Sequence, residues 1–306
     1  MGPKRNTFIL ILLLTAPFIF AQSLELPLCD ESEITDHHWY KLKYNEYFEQ
    51  ADWAAYELTR EELTGAFPRI DSFKVDPSIE TGSAELSDYR GSGYDRGHLV
   101  PAGDLKISEE AMAASFYLSN MSPQVPQLNR GIWLDLENYV RTWAWDYDSI
   151  YVITGPIFTE EVLKTIGRNR VAVPDSFFKA VLVYGDDIKQ AIGFIIPNDD
   201  ELDEIEEYIV NINDIENVTG LDLFYQLPDN IETLLETRVD ISKWNWTEFR
   251  FTGKVKKVEE AATLPLYWIN TSSGTRHNSS CEYYGNTKNG YYTNEKIGKA
   301  CNRCGG

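Results

Sequence analysis

The apolar positions of this chain follow two periods, and each period predicts one kind of element. Apolar residues at helical spacing predict a helix from Gly131 onward; they are Ile132, Leu136, Tyr139, Val140 and Trp143. Short apolar runs predict buried strands; they are ADWAAYEL, SIYVITGPIF, FFKAVLVYG and QAIGFIIPN. Helices and strands without a regular βαβ alternation indicate the α+β fold class.

Polar segments separate these elements. Ser108 is predicted to cap a helix that begins in SEEAMAAS. The segment 122–131 contains Pro123 and Pro126, and we predict a loop there because proline removes a helical hydrogen-bond donor. The acidic block 199–216 is predicted to be the solvated face of a helix.

The N-terminus has the layout of a secretory signal peptide. Lys4 and Arg5 precede an apolar run that starts at Phe8, and Ala21 supplies a small residue at the expected cleavage point. An uncleaved membrane anchor is the alternative, but the run is short for a span of ~20 residues. We therefore expect residues 1–21 to be a cleaved signal peptide, no later membrane segment, and a secreted or periplasmic protein.

The formal net charge of −20 narrows the classes of function. Such acidity argues against a passive nucleic-acid coat, which presents a basic face. It does not exclude an enzyme with a local basic cleft, because the surface potential depends on the arrangement of charges as well as on their sum. Residues 256–306 differ from the rest, with seven basic and four acidic side chains, a net of +3.

The segment YDRGHLVPAGD (94–104) places an aspartate, an arginine and a histidine together, with Gly97 as the expected hinge. Glu137 and Arg141 are four residues apart on the predicted helix and project from one face. Asn129 lies just before that helix, where free backbone N–H groups favour an anion. The candidate set in chain order is Arg69, Arg96, His98, Asn120, Asn129, Glu137 and Arg141.

This set suits metal-assisted cleavage of a phosphodiester. Histidine titrates near neutral pH, so His98 is expected to take a proton from the attacking water. Arginines neutralise the negative charge that develops around the phosphorus. A hard Mg²⁺ (or Mn²⁺) suits the leaving 3′ oxygen, with an Asn oxygen as direct ligand and Glu137 on metal-bound water.

Each member also has an ordinary structural interpretation. DRGH alone fits a turn in any protein, and Glu137 with Arg141 fits a surface i,i+4 pair. Asn120 and Asn129 fit helix caps. The joint order and spacing of the whole set, rather than any single member, favours the catalytic interpretation.

The chain resembles the DNA/RNA non-specific endonuclease family, the ββα-metal nucleases. The matching segments lie between about Trp39 and Asp229; they are ADWAAYELTR, RIDSFKVDP, YDRGHLVPAGD, YLSNMSPQVPQLNRGIWLDLE, YVITGPIF, PDSFFKAVLVY and TGLDLFYQLPD. The resemblance implies a central antiparallel sheet flanked by helices in residues 22–255, followed by a linker at 256–263. It also implies Mg²⁺-dependent hydrolysis of DNA and RNA with little sequence preference, leaving 5′-phosphate ends.

The resemblance implies a role for each candidate residue. His98 corresponds to the general base, and Asn129 corresponds to the direct Mg²⁺ ligand. Glu137 corresponds to the carboxylate that binds metal-held water. Arg96 and Arg141 correspond to the phosphate-facing arginines, and Arg69 corresponds to the remaining family arginine. Asn120 corresponds to a site-supporting amide.

Residues 264–306 are predicted to be a separate module. His277-x₃-Cys281 and Cys301-x₂-Cys304 are two ligand pairs that can close a tetrahedral Zn²⁺ site. The stretch resembles the small zinc-binding module of the Ada type, in which a full ligand set makes the zinc structural. Two disulfides that include Cys29 are the alternative in an exported protein.

The sequence leaves several assignments open. Aromatic residues in the module suit its own small core better than a stacking surface for nucleic acid; they are Trp268, Tyr283, Tyr284, Tyr291 and Tyr292. A catalytically silent, extracellular nucleic-acid-binding protein is the alternative function, and an adhesion or carbohydrate-binding protein is a weaker one. A homodimer stays open.

Overall fold

The computed structural model describes residues 23–159, 164–250, 267–278, 281, 283–284, 287, 289–293 and 296–305. The chain divides into two compact units, Met1–Gly253 and Lys254–Gly306. The predicted signal peptide and the predicted linker lie outside the described residues. Within the described part of the chain, no helix combines the length and the apolar character needed to cross a membrane.

The first unit contains eleven strands and six α-helices among its described residues. The strands are β1 (Ile34–Asp36), β2 (Lys41–Asn45), β3 (Gln50–Thr59), β4 (Asp95–His98), β5 (Met121–Gln124), β6 (Ser149–Ile157), β7 (Thr165–Ile166), β8 (Val171–Ala172), β9 (Ser176–Tyr184), β10 (Lys189–Pro197) and β11 (Ile209–Val210). The helices are α1 (Leu86–Tyr89), α2 (Glu109–Ser115), α3 (Pro126–Arg130), α4 (Ile132–Tyr147), α5 (Ile212–Thr219) and α6 (Asp229–Glu236). Short 3₁₀ turns occur at Glu31–Glu33, Glu62–Thr64, Leu118–Asn120, Ile205–Tyr208 and Ile241–Lys243.

A seven-stranded antiparallel sheet forms the centre of this unit, in the order β1-β2-β3-β6-β9-β10-β11. Helix α4 packs on one face of the sheet, with Trp133 and Trp143 against Phe177 and neighbouring side chains. Helices α5 and α6 contribute to the second core, on the other face. Because both faces are covered, β6, β9 and β10 are almost continuously apolar, which explains why these strands were predictable. The α+β prediction is confirmed.

Two predictions about where helices begin are confirmed. Helix α4 follows Gly131, and it buries the apolar stripe that contains Leu136 and Val140. Ser108 caps α2, and its hydroxyl accepts a hydrogen bond from the backbone N–H of Ala111 at 3.1 Å. The cap satisfies a donor that the first helical turn leaves free.

The prediction of a loop at 122–131 is wrong. Pro126 occupies the first turn of α3, where a missing N–H costs nothing because that donor has no helical acceptor. Pro123 lies in β5, which pairs antiparallel with β4 and places Pro123 opposite Arg96. The pairing is two-stranded, so a proline is tolerated there as at a sheet edge.

The prediction of one solvated helix over the acidic block 199–216 is also wrong. The block holds a 3₁₀ turn at Ile205–Tyr208, then the short strand β11, and only then the start of α5. Strand β11 continues the central sheet by pairing with β10. Tertiary pairing therefore overrides the local helical preference of the acidic residues.

Gly97 is not a hinge. It lies inside β4 opposite Ser122, in a fully buried position. A Cβ atom at this position would collide with the buried side chain of Gln124. The glycine therefore provides room for the close approach of β5 rather than freedom to bend.

The second unit contains a four-stranded sheet among its described residues. Its strands are β12 (Tyr267–Asn270), β13 (Thr275–Asn278), β14 (Gly290–Thr293) and β15 (Lys299–Ala300), in the order β14-β12-β13-β15. Strand β12 pairs antiparallel with both β13 and β14, whereas β15 pairs parallel with β13.

Candidate active site

The imidazole of His98 lies at the end of β4 among aromatic rings. His98 is 8 % exposed, and the ring centroids of Phe116 and Phe73 lie 5.1 and 6.0 Å from that of the imidazole. Its Nε2 atom is buried and has no hydrogen-bond partner among the described residues. An unpaired buried nitrogen is uncommon and calls for an explanation, of which a catalytic role is one.

Burial, together with the positive charges of Arg69 and Arg96, lowers the pKa of His98 to about 3, while Asp71 opposes the fall. The imidazole is therefore neutral at neutral pH, which is the form that accepts a proton. This environment matches the sequence-based requirement for a histidine that stays uncharged.

The two arginines near His98 are held over aromatic rings. The guanidinium carbon of Arg96 lies 4.3 Å from the ring centroid of Phe73, and that of Arg69 lies 5.2 Å from Phe116. Both side chains are exposed, and Arg69 also bonds Asp71 at 2.8 Å. Stacking fixes each guanidinium while leaving its donor N–H groups at the surface, where a phosphate can reach them.

Asn129 of α3 is oriented by Asp95 of β4. The Nδ2 atom of Asn129 donates to Asp95 Oδ2 at 2.9 Å, and Arg130 donates to both carboxylate oxygens of Asp95 at 2.7 and 2.6 Å. Burial would raise the pKa of Asp95, but the bonds from Arg130 and Asn129 outweigh it and lower the pKa. Because Asp95 accepts from the nitrogen end of the amide, the Oδ1 atom of Asn129 is turned away from Asp95.

Glu137 of α4 belongs to a buried group of charges. Arg141 Nη1 lies 3.9 Å from Glu137 Oε2 and donates to Asp104 Oδ1 at 2.8 Å. Tyr56 donates from its hydroxyl to Asp104 Oδ2 at 2.9 Å. Burial raises the pKa of Glu137 to about 7, with Asp104 adding to the rise and Arg141 opposing it.

Arg141 is more enclosed than its expected role suggests. Its side chain is 9 % exposed, and besides the bond to Asp104 its Nη2 atom donates to Asn138 Oδ1 at 2.9 Å. A Cβ at Gly103 would lie 2.8 Å from Nη1, so a glycine is needed beside the guanidinium. The role of Arg141 as a phosphate-facing arginine stays a prediction, and the structure shows a guanidinium that already compensates Asp104.

Asn120 supports the backbone that follows His98. It is fully buried, its Oδ1 accepts from the N–H of Val100 at 2.9 Å, and its Nδ2 donates to the carbonyls of Val100 and Ser115 at 3.0 and 2.9 Å. The amide thus holds the segment after β4 against the end of α2. It touches neither Glu137 nor Asn129 through these bonds.

Lys179 is a residue of this charge group that sequence analysis missed. It lies in β9 with no exposed surface, its Nζ atom is 4.7 Å from the ring centroid of Trp133, and Nζ has no hydrogen-bond partner among the described residues. Burial lowers the pKa of Lys179 to about 8, whereas Glu137 and Asp104 act to raise it. A lysine inside the apolar run FFKAVLVYG was the available signal.

One arginine influences both principal titratable groups. Burial is the largest influence on the pKa of each, and the positive charge of Arg69 acts to lower the pKa of both His98 and Glu137. Glu137 offers a carboxylate and Asn129 offers an oriented amide oxygen, and both donors suit a hard cation. A bound cation would lower the raised pKa of Glu137. The donor types of Glu137 and Asn129 are therefore those that Mg²⁺ prefers.

The four predicted zinc ligands come together in the second unit. One ligand atom from each of His277, Cys281, Cys301 and Cys304 lies within 4.8 Å of every other. Cys281 Sγ is 3.4 Å from His277 Nδ1, and none of the four cysteines, Cys29 included, forms a disulfide. Three thiols and an imidazole in this arrangement suit tetrahedral Zn²⁺ better than disulfides.

The sequence of the first unit matches a known protein family. The sequence model of the DNA/RNA non-specific endonuclease family matches residues 22–230. That span is more than half of the chain, and the chain therefore belongs to this family. It is accordingly an enzyme of the nuclease class.

Known relatives are similar along the same region. Human mitochondrial endonuclease G is 37 % identical over 205 residues, which cover 62 % of this chain and 69 % of the relative. Nuclease C1 of Cunninghamella echinulata var. echinulata is 37 % identical over 204 residues, covering 61 % and 81 %. A nuclease of Nostoc sp. is 35 % identical over 213 residues, covering 66 % and 76 %. A solved EndoG chain, from a complex of EndoG with EndoGI described as showing the mechanism of EndoG inhibition, matches with a TM-score of 0.61 and 32 % identity, covering 66 % of this chain and 89 % of that one.

Proposed function

We propose that this protein is an exported, Mg²⁺-dependent endonuclease that hydrolyses DNA and RNA with little sequence preference and leaves 5′-phosphate ends. The observation that carries the proposal is the buried, neutral imidazole of His98 beside the rings of Phe73 and Phe116, over which Arg96 and Arg69 are held. Family membership and the names of the relatives support the nucleic-acid substrate. Export is supported by the signal-like N-terminal sequence, while one relative, human endonuclease G, is named as mitochondrial.

The residues of this chain divide the reaction between them. His98, as a neutral imidazole, takes the proton of the attacking water. Arg69 and Arg96 bind the phosphate and neutralise the charge that grows on its oxygens. Asn129 and Glu137 would hold Mg²⁺, which when bound supplies Lewis-acid stabilisation of the leaving oxygen.

Replacement of the base tests the proposal. His98→Ala should lower the rate of plasmid nicking by at least ~10²-fold in the presence of Mg²⁺, because general-base catalysis contributes about that much. His38→Ala is the matched control, since His38 is an exposed histidine of the same unit. The rate is measured with and without Mg²⁺ added to metal-free buffer.

Two results would reject this function. Wild-type turnover in the His98→Ala protein would remove the assigned base. Binding of plasmid without nicking by the native protein, at any Mg²⁺ concentration, would instead favour a nucleic-acid-binding protein that has kept the fold without the reaction.

We further propose that the second unit holds one structural Zn²⁺ through His277, Cys281, Cys301 and Cys304. The support is the convergence of the four ligand atoms within 4.8 Å of one another and the absence of a disulfide among the three cysteines. A site with four protein ligands leaves no open position for a water, so this metal stabilises the fold and takes no part in hydrolysis.

A further inference from the structure

The aromatic residues of the second unit are not all core residues. Trp268 and Ile269 are buried, at 9 and 5 % exposure. In contrast, Tyr283, Tyr291 and Tyr292 are 39, 45 and 50 % exposed. The interpretation of these aromatics as the module's own core is therefore wrong for three tyrosines.

One face of the four-stranded sheet carries a row of rings. Register places Trp268 of β12 between Tyr292 of β14 and His277 of β13. The centroids of Trp268 and Tyr292 are 4.7 Å apart. Tyr284 extends the row, with its centroid 5.3 Å from that of Tyr292. Exposed Tyr292 thus stands on a supported aromatic surface rather than as an isolated side chain.

A second exposed ring lies beside the zinc ligands. The centroid of Tyr283 is 5.7 Å from that of His277, and the guanidinium carbon of Arg303 lies 5.5 Å from Tyr283. Lys299 of β15 is exposed and pairs with Thr275, two residues before His277 and therefore on the same sheet face. Flat rings and cations are in this way combined on one surface.

The charge of this unit is opposite to that of the whole chain. Residues 267–306 contain five Lys or Arg and two Glu, a net of +3, while the full chain has a formal net charge of −20. A Zn²⁺ bound by three thiolates and a neutral imidazole would subtract one charge and leave the unit positive. A polyanion would therefore be attracted to this surface and repelled by most of the remaining chain.

We propose that the face bearing Tyr283, Tyr292, Arg303 and Lys299 is a docking surface for single-stranded nucleic acid, separate from the catalytic site. Bases stack on the two tyrosines, and the phosphates contact the cations, as in sequence-independent binding of single strands. The surface would retain substrate on a protein whose overall charge opposes binding. This inference rests on the proposed nuclease function for its choice of ligand class.

Binding to a fluorescent oligothymidylate tests this surface. The full-length, zinc-containing chain carries His98→Ala to prevent cleavage, and anisotropy gives Kd with and without the added pair Tyr283→Ser and Tyr292→Ser. Loss of the two rings should weaken binding at least about fivefold, the lower bound for one stacked base. An abasic oligomer of equal length carries the same phosphates, and on it the tyrosine pair should make little difference.

The control is the pair Tyr47→Ser and Tyr225→Ser, two tyrosines of the first unit that are 76 and 40 % exposed. Unchanged zinc content of the Tyr283/Tyr292 variant shows that the module still folds. An unchanged Kd, or an equal loss of affinity with the control pair, would overturn the inference. So would a result in which the Tyr283/Tyr292 variant loses retention on a polysaccharide and keeps its binding to oligothymidylate.

The same experiments separate this inference from the proposed function. Tyrosine-dependent binding by a protein that never nicks plasmid would remove the catalytic proposal and leave the docking surface. If nicking depends on His98 but binding does not change when Tyr283 and Tyr292 are replaced, the docking surface is removed and the catalytic proposal stands.

Discussion

At the scale of single residues, burial displaces the pKa values of the two principal groups in opposite directions. Desolvation disfavours the charged form of each, so the pKa of His98 falls to about 3 and that of Glu137 rises to about 7. A bound phosphate beside Arg69 and Arg96 would offset their positive charge and raise the proton affinity of His98. The base would thus become stronger when substrate is present.

The lowered pKa of His98 also predicts a loss of stability in acid. The unfolded chain binds a proton at His98 below about pH 6.5, whereas the folded chain binds it only at about pH 3. The contribution of the neutral imidazole to the free energy of unfolding is therefore fully present above pH 6.5 and is lost as the pH falls. Relative to His98→Gln, the free energy of unfolding of the native protein should fall by about 3 kcal/mol more between pH 7 and pH 4. Urea unfolding at both pH values measures this difference, with exposed His38→Gln as the control. Equal pH dependence in the native and His98→Gln proteins would contradict the burial argument.

At the scale of elements, the apolar periodicity of the sequence predicted the helices and strands that have a local signal. It missed those that depend on tertiary contacts. Helix α4 and strands β6, β9 and β10 were predictable, because an amphipathic stripe and continuous apolar runs are local signals. Strand β5 and helix α3 were not, because their prolines suit a sheet edge and a first helical turn that only the fold reveals.

The candidate site shows the same division between local and long-range information. Motif order selected His98, Asn129 and Glu137 from the sequence. It did not select Lys179 or Asp104, because these residues enter the site only through the packing of β9 and the loop after β4 beneath α4. Charge compensation inside a core depends on spatial neighbours, which a single sequence does not encode.

The pairing of β4 with β5 predicts an effect of filling Gly97. Gly97→Ala would press a Cβ against the buried Gln124 side chain, and overpacking of this kind costs about 1–3 kcal/mol. Because Gly97 precedes His98, plasmid nicking should fall together with stability. Gly185→Ala is the matched control, since its nearest atom would be Ile188 O at 3.8 Å. If Gly97→Ala unfolds at the same urea concentration as Gly185→Ala, the close approach does not constrain this strand pair.

At the scale of the whole molecule, the chain combines two units with different sources of stability. The first has large buried cores on both faces of its sheet, formed by α4 on one side and by α5 and α6 on the other. The second has few described buried side chains; they are Trp268, Ile269, Arg276, His277 and Cys301. So small a core rarely supports a fold unaided, and metal binding is a common source of the missing free energy.

Loss of the zinc ligands should therefore act on the stability of the second unit alone. Cys301→Ser with Cys304→Ser should reduce bound zinc from about one per chain to well below that, because two of four ligands are lost. Proteolysis should then cleave residues 267–305 faster, while the thermal transition of the first unit stays in place, since its cores contain none of the ligands. Cys29→Ser is the matched control, because Cys29 is a half-buried free thiol of the first unit that takes no part in the cluster. Oxidation of all four cysteines in the isolated native protein, or equal zinc content in the double variant and the control, would remove the zinc site and return the tail to the disulfide alternative.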